Sequence, residues 1–318
     1  MMQIVLIGIG AGAAAALLFA SLASGSLFAL VLFYLSPLPI LIAGMGWNSV
    51  AGLIATLFAT VSLFLAFDGY FASAFIIGMG LPAWWLGYLA LLARPVAGAS
   101  PDTLEWYPAG RIVLWTAALA AVAVAISIPY FGTDAESFHA TLKAGIEAAL
   151  GLPGRAGGEL NPARTIDTDL LARLAPAMVA WLTAMVLLLN TWLAARIVKL
   201  SGQLRRPWPE LPAISFPRLA PAWLAAALAG IFLPGLPGVV ADIFAATLTL
   251  AFTVLGFAVL HVLTRGISGR PLVLSGVYTA VVIFAWPLAI ILALLGLADT
   301  ALDLRGRASR PRSPPTLH

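Results

Sequence analysis

The sequence predicts an all-α, polytopic transmembrane bundle of eight or nine spans, at about 20 residues per span, with one amphipathic helix outside the membrane. Of the 318 residues, 62% are hydrophobic and 9% are charged, whereas a soluble domain carries about 25% charged residues. The first charged side chain is Asp68. The apolar runs are continuous, which favours helices over the alternating pattern of an outer-membrane barrel. We therefore expect a multi-pass protein of the bacterial inner membrane.

The predicted spans begin at the N-terminus, and the first four are joined by very short connections. In chain order they are Gln3–Leu22, Leu27–Ala43, Asn48–Phe67, Phe71–Ala93, Ile112–Ile128, Leu174–Val198, Ala222–Val240, Ile243–Leu263 and Leu272–Leu297. Ala222–Val240 is the weakest of them, because two prolines and two glycines between Pro234 and Gly238 interrupt it. The predicted organisation is a five-span membrane part (1–131), a non-cytoplasmic loop (132–173), a second membrane part (174–300) and a disordered basic tail (301–318).

The long polar segment between the fifth and sixth spans contains a helical pattern. Phe138, Leu142, Ile146 and Leu150 follow one another at intervals of four within 134–150. This spacing predicts an amphipathic helix that lies along the membrane or the protein. The Gly- and Pro-rich remainder, 151–168, is predicted to be a loop.

The distribution of Lys and Arg predicts the orientation. The loop after the sixth span contains five basic residues against Glu210, and is expected in the cytoplasm: Arg196, Lys199, Arg205, Arg206 and Arg218. The 132–173 loop then lies outside. If Ala222–Val240 crosses fully, the C-terminal tail is external, and if it is re-entrant the tail is cytoplasmic. We favour a cytoplasmic tail because it carries Arg305, Arg307, Arg310 and Arg312.

Several classes of site are disfavoured by the composition. There is no cysteine, and the three histidines are too far apart in sequence for a local metal motif. There is no Walker A loop for ATP. The basic residues lie mostly at the ends of apolar segments, where topology explains them better than a nucleic-acid partner. We expect no enzyme activity, no catalytic residue, no metal and no cofactor.

Small residues form one ridge along the first span. Gly8, Gly12, Ala16 and Ala20 recur at intervals of four, and Ser24 continues the series. Such a ridge allows another helix backbone to approach closely. The sequence leaves open whether that helix belongs to the same chain or to a partner subunit.

Isolated polar and aromatic residues within the spans are candidates for ligand binding. Asn190 and His261 are the most isolated polar side chains, and Trp181 or Trp286 would form a wall beside them. The alternative is that Asn190 and His261 make hydrogen bonds between helices. Broken helices also line cavities in membrane proteins, and prolines are expected to break three spans, at Pro37 and Pro39, at Pro82 and at Pro287.

Three stretches carry a family resemblance. Gly256–His261, Leu294–Arg305 and Ser36–Ala59 resemble motifs of the YybS-like family of predicted bacterial membrane proteins. The resemblance covers most of the chain except 132–173. It implies a distant similarity to the substrate-binding S components of energy-coupling factor transporters, and hence uptake of a small solute with separate coupling and ATPase subunits.

The last of these stretches contains a charged motif. Asp299 and Asp303 lie one helical turn apart, and Arg305 follows them. An arginine beyond the last turn is expected to pair with one of the two carboxylates and fix that end of the helix.

The leading functional hypothesis is a protein of the lipid bilayer that binds a small neutral or weakly charged solute in its bundle and passes it across. Too few charges lie within the spans to neutralise a phosphate or a polyanion. The alternative is a non-transporting membrane scaffold that organises other envelope proteins.

Overall fold

A computed structural model describes residues 1–96, 104–151 and 167–309. Within these ranges the fold is almost entirely helical, which confirms the predicted all-α bundle. Seven helical segments are long and apolar enough to cross a membrane: Met2–Ser24, Leu27–Gly46, Ser49–Ala66, Gly69–Leu91, Ala109–Phe131, Thr168–Leu200 and Leu236–Leu263. The predicted count of eight or nine spans exceeds the seven segments found in the part that the structure describes.

The N-terminal spans contain the expected helix breaks. The helices are α1 (Met2–Ala20), α2 (Leu27–Tyr34), α3 (Pro37–Gly46), α4 (Ser49–Ala66), α5 (Gly69–Phe75) and α6 (Leu81–Leu91). Pro37 separates α2 from α3, and a π-helical segment precedes Pro82. Asn48 caps α4 and Asp68 caps α5, because each side chain accepts a hydrogen bond from a backbone N–H group in the first turn of its helix. Proline and caps therefore set these boundaries.

A short hairpin interrupts the helical pattern. Strands β1 (Ala93–Pro95) and β2 (Leu104–Trp106) are antiparallel, and Arg94 pairs with Glu105 across them at 2.7 Å. The hairpin was not predicted, because three-residue strands carry too little periodicity to be recognised from sequence.

The helix predicted in the polar segment is present. After α7 (Ala109–Phe131), α8 (Ala135–Ala149) begins at its cap Asp134. Hydrogen bonds from Ser137 and Glu136 to its carboxylate lower the pKa of Asp134. Phe138 is buried against α7, as the amphipathic pattern requires. Most of the predicted 151–168 loop, residues 152–166, lies outside the described residues.

In the C-terminal half, the structure differs from the predicted seventh span. The helices are α9 (Thr168–Leu200), α10 (Ala220–Gly230), α11 (Leu236–Leu263), α12 (Arg270–Leu302) and α13 (Leu304–Ser309). The segment Ala222–Val240 is therefore not one helix. Gly235 has φ 75°, which ends the turn after α10, and Pro237 lies in the first turn of α11. α10 has 11 residues, and is about 16 Å long, roughly half of the hydrocarbon core.

Two further sequence expectations differ from the structure. Pro287 lies within α12, which continues on both sides of it, so this proline does not break its span. The tail predicted to be disordered, 301–318, is largely helical as far as residue 309, because it contains the end of α12 and all of α13. Side-chain contacts hold this segment in place. Residues 310–318 lie outside the described residues. The guanidinium of Arg305 donates to the Ile214 carbonyl at 2.7 Å. The start of the tail therefore contacts the 201–219 loop.

The small-residue ridge of α1 packs against α4 of the same chain. A Cβ atom at Gly8 would lie 2.7 Å from Ile54, and one at Gly12 would lie 2.6 Å from the Ala55 carbonyl. Ala16 is buried on the same face, whereas Ala20 is half-buried. Both helices advance together along this contact, so α1 and α4 are parallel. The partner that the sequence left open is thus internal.

Replacing Gly12 with leucine should lower the apparent melting temperature of the detergent-solubilised protein markedly. The added side chain meets the α4 backbone, and overpacking costs about 1–3 kcal/mol or more. The matched control is Gly10→Leu, because a Cβ at Gly10 meets nothing within 4 Å. Equal melting temperatures for the two variants would show that the ridge is not a close contact.

Candidate functional site

Asn190 has a structural role at the break between α2 and α3. It is 1% exposed, and its Nδ2 donates to the carbonyls of Tyr34 and Val186, each at 2.8 Å. At the break, the Leu38 N–H donates to Leu35 instead of Tyr34, so the Tyr34 carbonyl needs another donor. Asn190 of α9 supplies that donor, as the interhelical alternative proposed.

His261 lies near the end of α11 and contacts α12. Its Nδ1 is 2.9 Å from the Phe257 carbonyl, and its Nε2 is 3.3 Å from the Tyr278 hydroxyl. Tyr278 also stacks on Phe257, with ring centroids 5.2 Å apart. His261 therefore joins two neighbouring helices.

The structure does not bring the four predicted ligand residues together. Asn190 contacts the α2–α3 break, whereas His261 contacts α12. Trp181 packs against the hydrophobic core of the N-terminal half, and the side chain of Trp286 lies outside the described residues. Asn190, His261 and Trp181 do not line the cavities described below. The prediction required Asn190 and His261 to face one cavity, but each makes hydrogen bonds to its own helix and to a neighbouring one. The buried Oδ1 of Asn190 has no hydrogen-bond partner among the described residues.

A cavity of about 560 Å³ lies among α9, α10, α11 and α12. Aliphatic side chains form most of its wall, including Met178 from α9, Leu228 from α10 and Leu294 from α12. The wall contributed by α11 differs, since it presents Asp242 and Thr249 with two alanines between them. Among the described residues that line this wall, Asp242 is the only one with a charge.

Asp242 is a candidate functional residue whose position differs from the one predicted from the sequence. The predicted span began at residue 243, which put Asp242 at a helix end. α11 begins at Leu236 instead, so Asp242 lies about 9 Å into the helix. Pro237 was the available signal, because proline favours the first turn of a helix.

The carboxylate of Asp242 has no hydrogen-bond or ion-pair partner among the described residues, and its side chain is half-buried. An ionisable side chain inside a span is costly, so its presence points to a function by default. Thr249, seven residues later on the same face, lines the cavity and donates its hydroxyl to the Ala245 carbonyl, so its hydroxyl oxygen can still accept a hydrogen bond. The small alanines at this face provide the open volume.

A second cavity of about 290 Å³ lies in the N-terminal half and has a different lining. Its hydroxyls include those of Ser73, Ser127 and Thr183, and each of these donates to a carbonyl of its own helix. None of the described residues that line it is charged. Its chemistry is therefore less selective than that of the Asp242 cavity.

The C-terminal motif forms a buried ion pair. Arg305 pairs with Asp299 at 2.8 Å, and the Arg305 backbone N–H also donates to this carboxylate. Asp299 is 5% exposed. Asp303 instead adopts φ 49° and accepts the Gly306 N–H. The predicted choice between two carboxylates is resolved in favour of Asp299, and Arg305 lies inside the protein.

The described residues contain no group of three or more His, Asp or Glu side chains placed to hold a metal. The long apolar helices and the nearly uncharged interior define an integral, multi-pass membrane protein. The chain belongs to the DUF2232 family of predicted membrane proteins, whose model matches residues 13–300. No curated protein and no solved structure matches the chain.

Proposed function

We propose that this protein binds a small, mostly apolar solute with one positive charge in the cavity among α9, α10, α11 and α12. The observation that carries the proposal is the unpartnered carboxylate of Asp242 in the wall of that cavity. The volume of about 560 Å³ falls within the usual range of small-molecule sites, about 300–1,000 Å³.

The charge of Asp242 determines the class of solute. An unpaired carboxylate in a poorly hydrated place is stabilised by a cation that brings its own charge and hydrogen-bond donors. The aliphatic wall would contact the hydrocarbon part of an amine, and the Thr249 hydroxyl would accept a hydrogen bond from one N–H group of the amine. A polyanion is disfavoured because no Lys or Arg is found among the described residues that line the cavity.

The fold around the cavity supports passage of the solute across the bacterial inner membrane. The turn between α10 and α11 borders the cavity through Ile231, and broken helices beside a binding site are a recurring feature of transporters. The resemblance to S components adds separate coupling and ATPase subunits to the proposal. The scaffold alternative is weakened, because the ridge that would have recruited a partner is used within the chain.

Substituting Asp242→Asn should abolish a preference for amines. Hexylamine and 1-hexanol share a hydrocarbon chain, so titration calorimetry in uncharged detergent isolates the effect of the charge. We expect the wild type to bind hexylamine at least tenfold more tightly, a difference of about 1.4 kcal/mol, and Asp242→Asn to bind both equally.

The control is Asp68→Asn, which removes one acidic charge far from the cavity and keeps a residue suited to capping α5. It should retain the wild-type preference. Equal binding of both compounds by the wild type, or an unchanged preference in Asp242→Asn, would refute the proposal.

A further inference from the structure

A third cavity lies at the opposite end of α9 from α8, and one charged side chain is found among the described residues that line it. Its volume is about 150 Å³, and it is enclosed by the ends of α3 and α6, the start of α7, the last turns of α9 and the loop that follows. Apolar side chains such as Met45, Leu188 and Leu204 line its interior, and Trp192 and Trp208 border it. Arg206 is its charged residue.

Arg206 is a cation with unused donors. It is half-buried, and its Nη1 donates to the Ala90 carbonyl at 3.2 Å. The described residues give it no carboxylate partner and no second hydrogen bond, although a guanidinium has five N–H donors. Partial burial lowers the pKa of Arg206, which reflects the same lack of a compensating charge.

Two more cations lie beside this cavity on the face of Trp208. The guanidinium of Arg196 is 5.4 Å from the Trp208 ring, and the Lys199 ammonium is 4.8 Å from it. Neither has a carboxylate partner among the described residues. Three positive charges therefore converge on one rim, above an apolar interior and between two tryptophans.

The geometry points to a binding site for an anionic phospholipid at this rim. The lipid phosphate would accept hydrogen bonds from Arg206, with Arg196 and Lys199 as further cations, and part of one acyl chain would enter the apolar cavity. Guanidinium groups match phosphate oxygens in geometry, and tryptophan prefers the headgroup level of a bilayer. The site is independent of the Asp242 cavity and of any solute bound there.

A lipid fits the chemistry better than a free phosphate does. The loop 201–219 directly follows a membrane-spanning helix and is expected at the cytoplasmic surface, where anionic lipids attract basic residues. A soluble phosphate would leave the apolar interior below Arg206 unoccupied. An acyl chain fills it and adds the favourable burial of apolar surface.

Native mass spectrometry of the detergent-solubilised full chain tests this inference. Phosphatidylglycerol should bind at least tenfold more tightly than phosphatidylethanolamine, and glycerol 3-phosphate should not compete for the site. Arg206→Gln should lose the preference for phosphatidylglycerol. Arg205→Gln is the matched control, because it removes the same charge from the neighbouring, exposed position, and it should keep the preference.

A second variant covers the case in which Arg206→Gln fails to fold. Ala195→Leu fills the cavity and leaves every charge in place, and it should reduce phosphatidylglycerol binding about as strongly. The inference is overturned if Arg205→Gln and Arg206→Gln weaken binding equally, if Ala195→Leu binds as the wild type does, or if glycerol 3-phosphate competes.

Discussion

Gly256→Ala should prevent accumulation of a stably folded protein. A Cβ at Gly256 would overlap the Leu292 carbonyl of α12, and Gly296 meets the Phe252 carbonyl in the same contact. Both obstacles are backbone atoms, so no side chain can rotate away. The Thr253 hydroxyl also donates to the Ala289 carbonyl at 2.9 Å across this interface. We expect a loss of about 3 kcal/mol or more, visible by fluorescence-detected size-exclusion chromatography.

Gly276→Ala is the control for this variant. Gly276 lies on the same α12, and a Cβ there meets nothing within 4 Å. Alanine even favours a helix interior over glycine by about 0.5–1 kcal/mol. Equal stability of Gly256→Ala and Gly276→Ala would show that the backbones of α11 and α12 are not in direct contact.

Asp299→Asn should destabilise the folded protein by about 3–5 kcal/mol, because it leaves Arg305 without its charge partner in a buried place. The loss should appear as a large fall in melting temperature in detergent. Arg305 also holds the Ile214 carbonyl at 2.7 Å, so the loop before α10 should become accessible to protease.

Asp303→Asn provides the comparison, because asparagine tolerates the left-handed backbone at this position. It should melt close to the wild type. The double variant Asp299→Leu with Arg305→Met replaces both charges by apolar groups and should recover much of the stability. No recovery would mean that the loss arises from something other than an uncompensated arginine.

Local chemistry made much of the fold predictable from the sequence. Pro37 cannot donate an N–H and is suited to the first turn of a helix, and the second span does break there, with α3 beginning at Pro37. Asn48 and Asp68 precede apolar runs with side chains suited to capping, and both do cap helices. The amphipathic spacing of Phe138 with later apolar residues located α8 correctly. Each of these depends on residues close in sequence.

The candidate site depended on tertiary structure that the sequence did not reveal. Asn190 donates a hydrogen bond to the Tyr34 carbonyl, 156 positions away in the chain. This carbonyl lacks a helical donor because the helix breaks before Pro37. Asp242 was placed at a helix end because the start of α11 was misjudged by seven residues. The site residue could have been recognised only by treating Pro237 as the start of a new helix.

The parallel packing of α1 on α4 has a consequence for synthesis at the ribosome. Gly8 of α1 contacts Ala51 of α4, about 43 residues later in the chain. At roughly 5–20 residues per second, this partner follows α1 after about 2–9 s. Until then, the glycine surface of α1 faces lipid or the insertion machinery. Packing of α1 in the N-terminal half is therefore delayed until α4 has entered the membrane.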